Sequence, residues 1–198
     1  MVAAAERALG ERNLVLVGFM GTGKSSLGRA AARALGRRFD DTDAAVRRRA
    51  GRSIPEIFAT EGEAVFRAWE AEAAADLGRA HRGVVATGGG TLGWPENVAA
   101  LRSGGVLVAL TAAPSVLLAR VGGLQAARRR PLLAGPDPLA RIEELLRQRS
   151  GLYAQADLTL DTGGLRRDAA VRALLRLCAE RAGAVRRSAG GGDVAGPG

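Results

Sequence analysis

Gly18-Phe19-Met20-Gly21-Thr22-Gly23-Lys24-Ser25 is the stretch that decides how this chain is read. It matches G-x-x-x-x-G-K-[ST] in full, and its setting agrees with the motif. The apolar run 14–18 reads as a strand before it. Ser25 to Leu35, with Leu27, Ala31, Ala34 and Leu35 on one face, reads as a helix after it. In such a strand, loop and helix the glycines let backbone N–H groups point at phosphates, and the helix N-terminus adds its positive end. Gly21, Thr22, Gly23, Lys24, Ser25 and Ser26 are therefore candidate nucleotide-binding residues. Lys24 would reach the terminal phosphates of ATP, and the Ser25 hydroxyl can ligate Mg²⁺. The motif names a nucleoside triphosphate and leaves the phosphoryl acceptor open.

Outward from this loop, apolar runs recur at 84–86 and 106–110, with an alternating one at 157–161 and a second strand expected to end near Phe39. Helical stretches separate them at about 43–50, 62–78, 96–103, 114–121, 138–153 and 166–182. Strands alternating with helices predict an α/β fold with a parallel sheet covered on both faces. Gly122 to Pro138 breaks the pattern with glycines, prolines and the run Arg128-Arg129-Arg130, and reads as a mobile lid. The expected organisation is an extension over 1–12, one domain over 13–183 and a disordered Gly-rich tail over 184–198.

Composition narrows the partners. The formal charge of +9, from 29 basic and 20 acidic side chains, favours anionic ligands, but only 4% of residues are aromatic, too few for a base-stacking surface. Small anionic molecules are expected rather than nucleic acid. No apolar run reaches the roughly 18 residues of a membrane span, and the first residues carry Glu6, Arg7 and Glu11. A cytoplasmic monomer is expected. The lone Cys178 follows Val171, Leu174 and Leu175 at helical spacing and reads as a core thiol.

Three further segments bear on the acceptor. Asp41 and Asp43, in Phe39-Asp40-Asp41-Thr42-Asp43, fall where a second strand ends. If the segment is extended they flank one cavity, one holding metal-bound water and the other a substrate hydroxyl; alternatively Asp43 caps a helix beginning at Ala44. Val84-Val85-Ala86-Thr87-Gly88-Gly89-Gly90 runs a strand into three glycines, where a ligand or simply a turn fits. Arg149 lies on the apolar stripe of the 138–153 helix and needs an anion, internal or bound. Arg67 has Glu63 and Glu70 at i−4 and i+3, which an ordinary surface ion pair would explain.

Together these segments resemble the shikimate kinase family from about Asn13 to Leu177. GFMGTGKSSLGR is similar to the family's phosphate loop, FDDTD to its paired aspartates and IFATEGEAVFR to its substrate-arginine helix. ATGGG matches its glycine triplet, RRRPLL its lid and RQRSGLY the helix with the second substrate arginine. The resemblance implies a three-layer α/β/α P-loop kinase fold with a five-stranded parallel sheet of order 2-3-1-4-5. It also implies transfer of the ATP γ-phosphoryl group to the 3-hydroxyl of shikimate, in aromatic amino acid biosynthesis.

Residue by residue, the resemblance makes Lys24, Asp43 and Arg130 catalytic, with Asp43 holding the acceptor hydroxyl as its base. Arg67 and Arg149 would clamp the shikimate carboxylate beside Gly88, Gly89 and Gly90. Ser25 and Asp41 would attend Mg²⁺, and Arg120 would lie near adenine. Asp161-Thr162-Gly163-Gly164 offers no side chain assignable to the base. Two other readings compete: a gluconate kinase-like enzyme, and a nucleotide-dependent binding or regulatory module without turnover or a basic protein that binds nucleic acid.

Overall fold

A computed structural model describes residues 1–128 and 130–189. Five strands, β1 (Asn13–Gly18), β2 (Arg38–Asp41), β3 (Gly83–Ala86), β4 (Gly105–Thr111) and β5 (Leu158–Asp161), form one parallel sheet ordered β2-β3-β1-β4-β5. In register, Leu14 pairs with Val84 on one side and Val106 on the other, so β1 is the central strand. A strand covered on both faces reads as a near-continuous apolar run, and a polar residue in it must find its hydrogen bonds inside, as Asn13 does with Leu77 O and Gly83 N. All six residues of β1 are buried, and successive side chains serve opposite layers.

Leu14 and Leu16 face α1 (Val2–Leu9), α2 (Lys24–Leu35) and α10 (Arg167–Ala189), packing with Leu27, Ala31, Leu174 and Cys178. Val15 and Val17 face α5 (Gly62–Arg79), α6 (Pro95–Ser103) and α9 (Pro138–Tyr153), packing with Ala74, Leu77, Val98 and Leu101. Cys178 is buried, and burial pushes its thiol up to about 11, so it is an inert core group as its spacing predicts.

Several elements differ from the sequence expectation. The first twelve residues, expected as an N-terminal extension, carry a helix that packs on the core. Ala5 and Leu9 of α1 are buried in the core, and Glu6 receives the fully covered Arg37 through Nε at 2.5 Å and Nη2 at 3.0 Å. Ser53 starts an unforeseen helix, α4 (Ile54–Thr60), with a complete Ser53–Glu56 capping box. The segment 122–138, expected as a mobile lid, carries short elements of its own. It contains α8 (Gly123–Arg128) and a 3-10 turn (Pro131–Leu133), with Ala127 and Leu133 buried against Phe19, Leu117 of α7 (Pro114–Arg120), Ile142 and Leu145. At the other end α10 runs to Ala189, so residues 184–189 of the expected tail are helical; Arg129 and residues 190–198 lie outside the described residues. Among the described residues no helix is long and apolar enough to cross a membrane.

Candidate active site

In an open parallel sheet, ligands bind beyond the carboxyl ends of the strands where the strand order reverses. β1, flanked by β3 and β4, is that point here. A cleft of about 1400 Å³ opens there, lined by Gly21 to Ser26, Asp41, Asp43, Arg67, Gly89, Gly90, Arg120 and Arg149. Gly88 lies behind its wall, and Arg130 is exposed and off it.

The phosphate end is made of backbone. Gly18 has φ +142°, and a Cβ there would collide with the Leu110 carbonyl, so only glycine lets the loop turn this close to β4. Thr22 is buried and its hydroxyl donates to Phe19 O at 2.7 Å, bracing the loop from within. Lys24 donates to Gly18 O at 2.7 Å and Phe19 O at 3.0 Å, folding its ammonium over the cradle. Burial lowers its pKa to about 8, against the pull of Asp43 and Asp41 and with help from Arg149.

Ser25 donates to Asp41 Oδ2 at 2.9 Å, and Asp41 Oδ1 accepts from Ala44 N at 3.2 Å. Asp41, not Asp43, is therefore the N-cap of α3 (Thr42–Ala50). The two aspartates do not share the face of an extended strand. Asp41 ends β2, while Asp43 points from the first turn of α3 into the cleft. Among the described residues no group of three or more His, Cys, Asp or Glu side chains can hold a metal alone. Any cation at Ser25 and Asp41 must complete its shell from phosphate oxygens and water, which suits a hard ion such as Mg²⁺.

Asp43 is raised to about 6, first by burial and then by the charges of Asp41 and Glu70, with Lys24 and Arg47 opposing. Behind it, a Cβ on Gly88 would overlap Asp43 Oδ1, so the glycine permits close packing of loop on carboxylate. Gly88 N donates to the buried Thr42 hydroxyl at 2.7 Å, joining the glycine turn to α3.

The two arginines are held differently. Arg67 bonds Glu63 Oε1 at 3.0 Å and Glu70 Oε2 at 2.6 Å; Glu63 is exposed, whereas Glu70 is 1% exposed. The sequence expectation of a surface pair fits Glu63 alone. Burial works against the Arg67 charge, but the bonds to Glu70 and Glu63 outweigh it and raise its pKa. Arg149 donates to Gly89 O at 3.0 Å and stands over Phe19, 5.7 Å from the ring centroid. Among the described residues it has no carboxylate within ion-pair distance. Of the two partners considered for it, the internal carboxylate is ruled out among those residues.

Arg120 donates to Thr162 Oγ1 at 3.0 Å and to Thr162 O at 2.6 Å, and Thr162 donates in turn to Thr22 O at 3.1 Å. The stretch after β5, with no base-contacting side chain assignable from sequence, thus ties Arg120 to the phosphate loop. Sequence reasoning also missed Thr42, the role of Glu70, and the apolar wall of Ile54, Pro55, Phe58 and Phe66. The capping box at Ser53 was the available signal for that wall. Arg130 is not brought to the cleft: it is exposed and off the lining, its backbone N–H donates to Ala127 O at 2.9 Å, and the Arg128 side chain donates to Pro136 O at 3.1 Å.

A parallel sheet of this order, with a complete phosphate loop at its switch point and an acceptor-sized chamber facing it, defines a P-loop kinase of small molecules. Comparison with known proteins narrows the class: a family model described as shikimate kinase matches residues 20–179. The shikimate kinase of Desulforudis audaxviator is 49% identical over 152 residues, 77% of this chain and 78% of that one. A solved shikimate kinase from Acinetobacter baumannii, in complex with shikimate, superposes with a TM-score of 0.73 at 33% identity, covering 94% of this chain and 98% of that one. A gluconokinase from Sinorhizobium meliloti, at 21% identity and TM-score 0.56 over 90% of this chain and 97% of its own, shares the fold alone. The chain belongs to the shikimate kinase family.

Proposed function

We propose that this chain transfers the γ-phosphoryl group of ATP to the 3-hydroxyl of shikimate, giving 3-phosphoshikimate and ADP on the route to chorismate and the aromatic amino acids. The observation that carries the reading is Arg149: a guanidinium in the cleft, opposite the phosphate loop, with no carboxylate partner among the described residues. It suits a ligand carboxylate, which accepts two parallel N–H bonds. Arg67 presents a second guanidinium to the same chamber, and the relative solved with shikimate supports this choice of acceptor.

In this reading Asp43 accepts the proton of the acceptor hydroxyl as its oxygen bonds to the γ-phosphorus. The bond from that phosphorus to the β–γ bridging oxygen breaks, and its electrons leave with ADP. A carboxylate raised to about 6 is mostly ionised at neutral pH and basic enough to take that proton. Lys24 and the backbone N–H groups of Gly21 to Ser25 neutralise the phosphate oxygens. Ser25 and Asp41 would hold Mg²⁺, which supplies charge neutralisation on the β- and γ-phosphates when bound. Arg120 orients the base end of the nucleotide from its anchorage on Thr162. Arg130 contributes only after segment 122–138 closes toward the phosphates, which also excludes water. Asp43, Arg67, Arg149 and the phosphate loop all come from one chain, and we take the enzyme as a monomer; we also take it to work in the cytoplasm.

ADP formation by the purified protein with Mg-ATP, compared for shikimate, quinate, gluconate and no acceptor, tests the assignment. Shikimate-dependent release is expected. Release with gluconate alone would overturn the substrate, and ATP binding without release in any arm would make the chain a binding module.

A further inference from the structure

The glycine turn after β3 continues into a 3-10 turn, Thr91–Gly93, whose first residue is fully buried and off the cleft wall. The Thr91 hydroxyl donates to Glu70 Oε1 at 2.8 Å, while the other oxygen of that carboxylate receives Arg67 Nη1 at 2.6 Å. Among the described residues these are the only two donors to the Glu70 side chain. The turn is itself pinned, since buried Asn97 on α6 donates through Nδ2 to Thr91 O at 3.2 Å.

Arg67 stands between two competing carboxylates. Glu63 draws its guanidinium to the exposed rim, and Glu70 draws it to the floor of the cleft, beside Asp43. A buried carboxylate holds one rotamer only if its oxygens are satisfied there. Without the Thr91 donor, Oε1 would be left unpaired and Glu70 would gain by turning away. Gly90 passes so near that a Cβ on it would lie 3.1 Å from Arg67 Nη1, so the absence of a side chain there leaves the guanidinium its place beside Glu70.

We propose that Thr91 is a positioning residue for the acceptor site: its hydroxyl fixes the rotamer of Glu70, and through Glu70 the aim of Arg67 at the acceptor carboxylate. The proposal rests on the shikimate reading given above. Thr91 touches neither substrate, so its contribution falls on acceptor saturation and spares the nucleotide.

Steady-state kinetics of Thr91→Val and Thr91→Ser, with ATP and shikimate varied separately, test it. Removing a hydrogen bond to a buried charge, with part of the effect passed to Arg67, raises the KM for shikimate in Thr91→Val roughly tenfold. The KM for ATP and kcat should move less than about twofold, the ordinary scatter of an uninvolved site, and Thr91→Ser should restore near-wild-type values. Equal losses for both substrates, an unchanged shikimate KM or failure of serine to rescue would each overturn the proposal. If Thr91→Val does not fold, Thr91→Ala makes the same test without placing a methyl group against the carboxylate. If the wild-type protein shows no turnover with shikimate, the functional reading fails by itself. A crystal structure of the valine variant then decides the positioning role: a displaced Glu70 or Arg67 sustains it, and an unmoved pair refutes it.

Discussion

At the phosphate end of the cleft the loop that faces the phosphates is one contiguous stretch, Met20 to Ser26, and most of what it presents is backbone. At the acceptor end they are side chains from α3, α5 and α9, brought together by the glycine turn after β3: Asp43, Arg67 and Arg149 are 24 to 106 positions apart in sequence. A backbone site is specified locally, because glycine spacing and a helix start suffice. A side-chain site depends on packing. Here Gly88 must admit Asp43, Thr42 must hold Gly88, and Glu70 must hold Arg67. Both ends share a bias against charge: burial lowers Lys24 to about 8 and raises Asp43 to about 6. Each group is therefore ready to be stabilised by a ligand of complementary chemistry.

The sharpest way to break this division is to remove one charge from each end. Lys24→Met should lower kcat by roughly 10²–10³-fold, the scale for losing one transition-state donor, and weaken ATP binding as well. Asp43→Asn should lower kcat at least roughly 10²-fold and leave ATP binding nearly intact, as titration calorimetry with ATP can show. If Asp43→Asn turns over normally, the acceptor end holds no base at this position. Next in size, Arg149→Ala should raise the KM for shikimate roughly ten- to a hundredfold, because a charge-assisted bond is lost, with little change for ATP.

The pH profiles sharpen the same contrast. With shikimate limiting, kcat/KM should fall below about pH 6 as Asp43 takes up a proton. With ATP limiting, it should fall above about pH 8 as Lys24 loses one, and ATP binding there should be accompanied by proton uptake. The smallest effect is on stability. The folded-state pKa of Asp43 lies above its ordinary value of 3.8, so the folded chain binds more protons and loses stability as pH rises from about 4 to 6. Asp43→Asn removes that loss and should raise the melting temperature at pH 7 by a few degrees, on the order of 1–3 kcal/mol. A lower melting temperature would mean that the carboxylate is held by bonds the fold needs.

The same contrast explains what was legible in the sequence. The phosphate loop, β1 and α2 follow from one motif and its flanking periodicity. Alternating elements gave the α/β class, whereas the strand order came only with the family resemblance, because neighbours in a parallel sheet are chosen by long-range packing. Helix α1 escaped notice because its burying face is just Ala5 and Leu9, and its anchor, Glu6 on Arg37, is a pairing 31 residues apart. Glu70 misled. Spacing of i+3 makes it look like a surface partner of Arg67, and nothing local says that it is buried under Thr91. Arg149 was legible because an arginine on an apolar stripe is costly unless something anionic meets it.

The measurement that tests the carboxylate clamp most directly is calorimetric titration of the protein with shikimate and with its methyl ester, which keeps the ring and hydroxyls but removes the charge. Shikimate should bind at least roughly tenfold more tightly than the ester, the loss expected when a charge-assisted bond becomes a neutral one. Equal binding of the two would contradict a site built around Arg67 and Arg149 as receivers of a carboxylate.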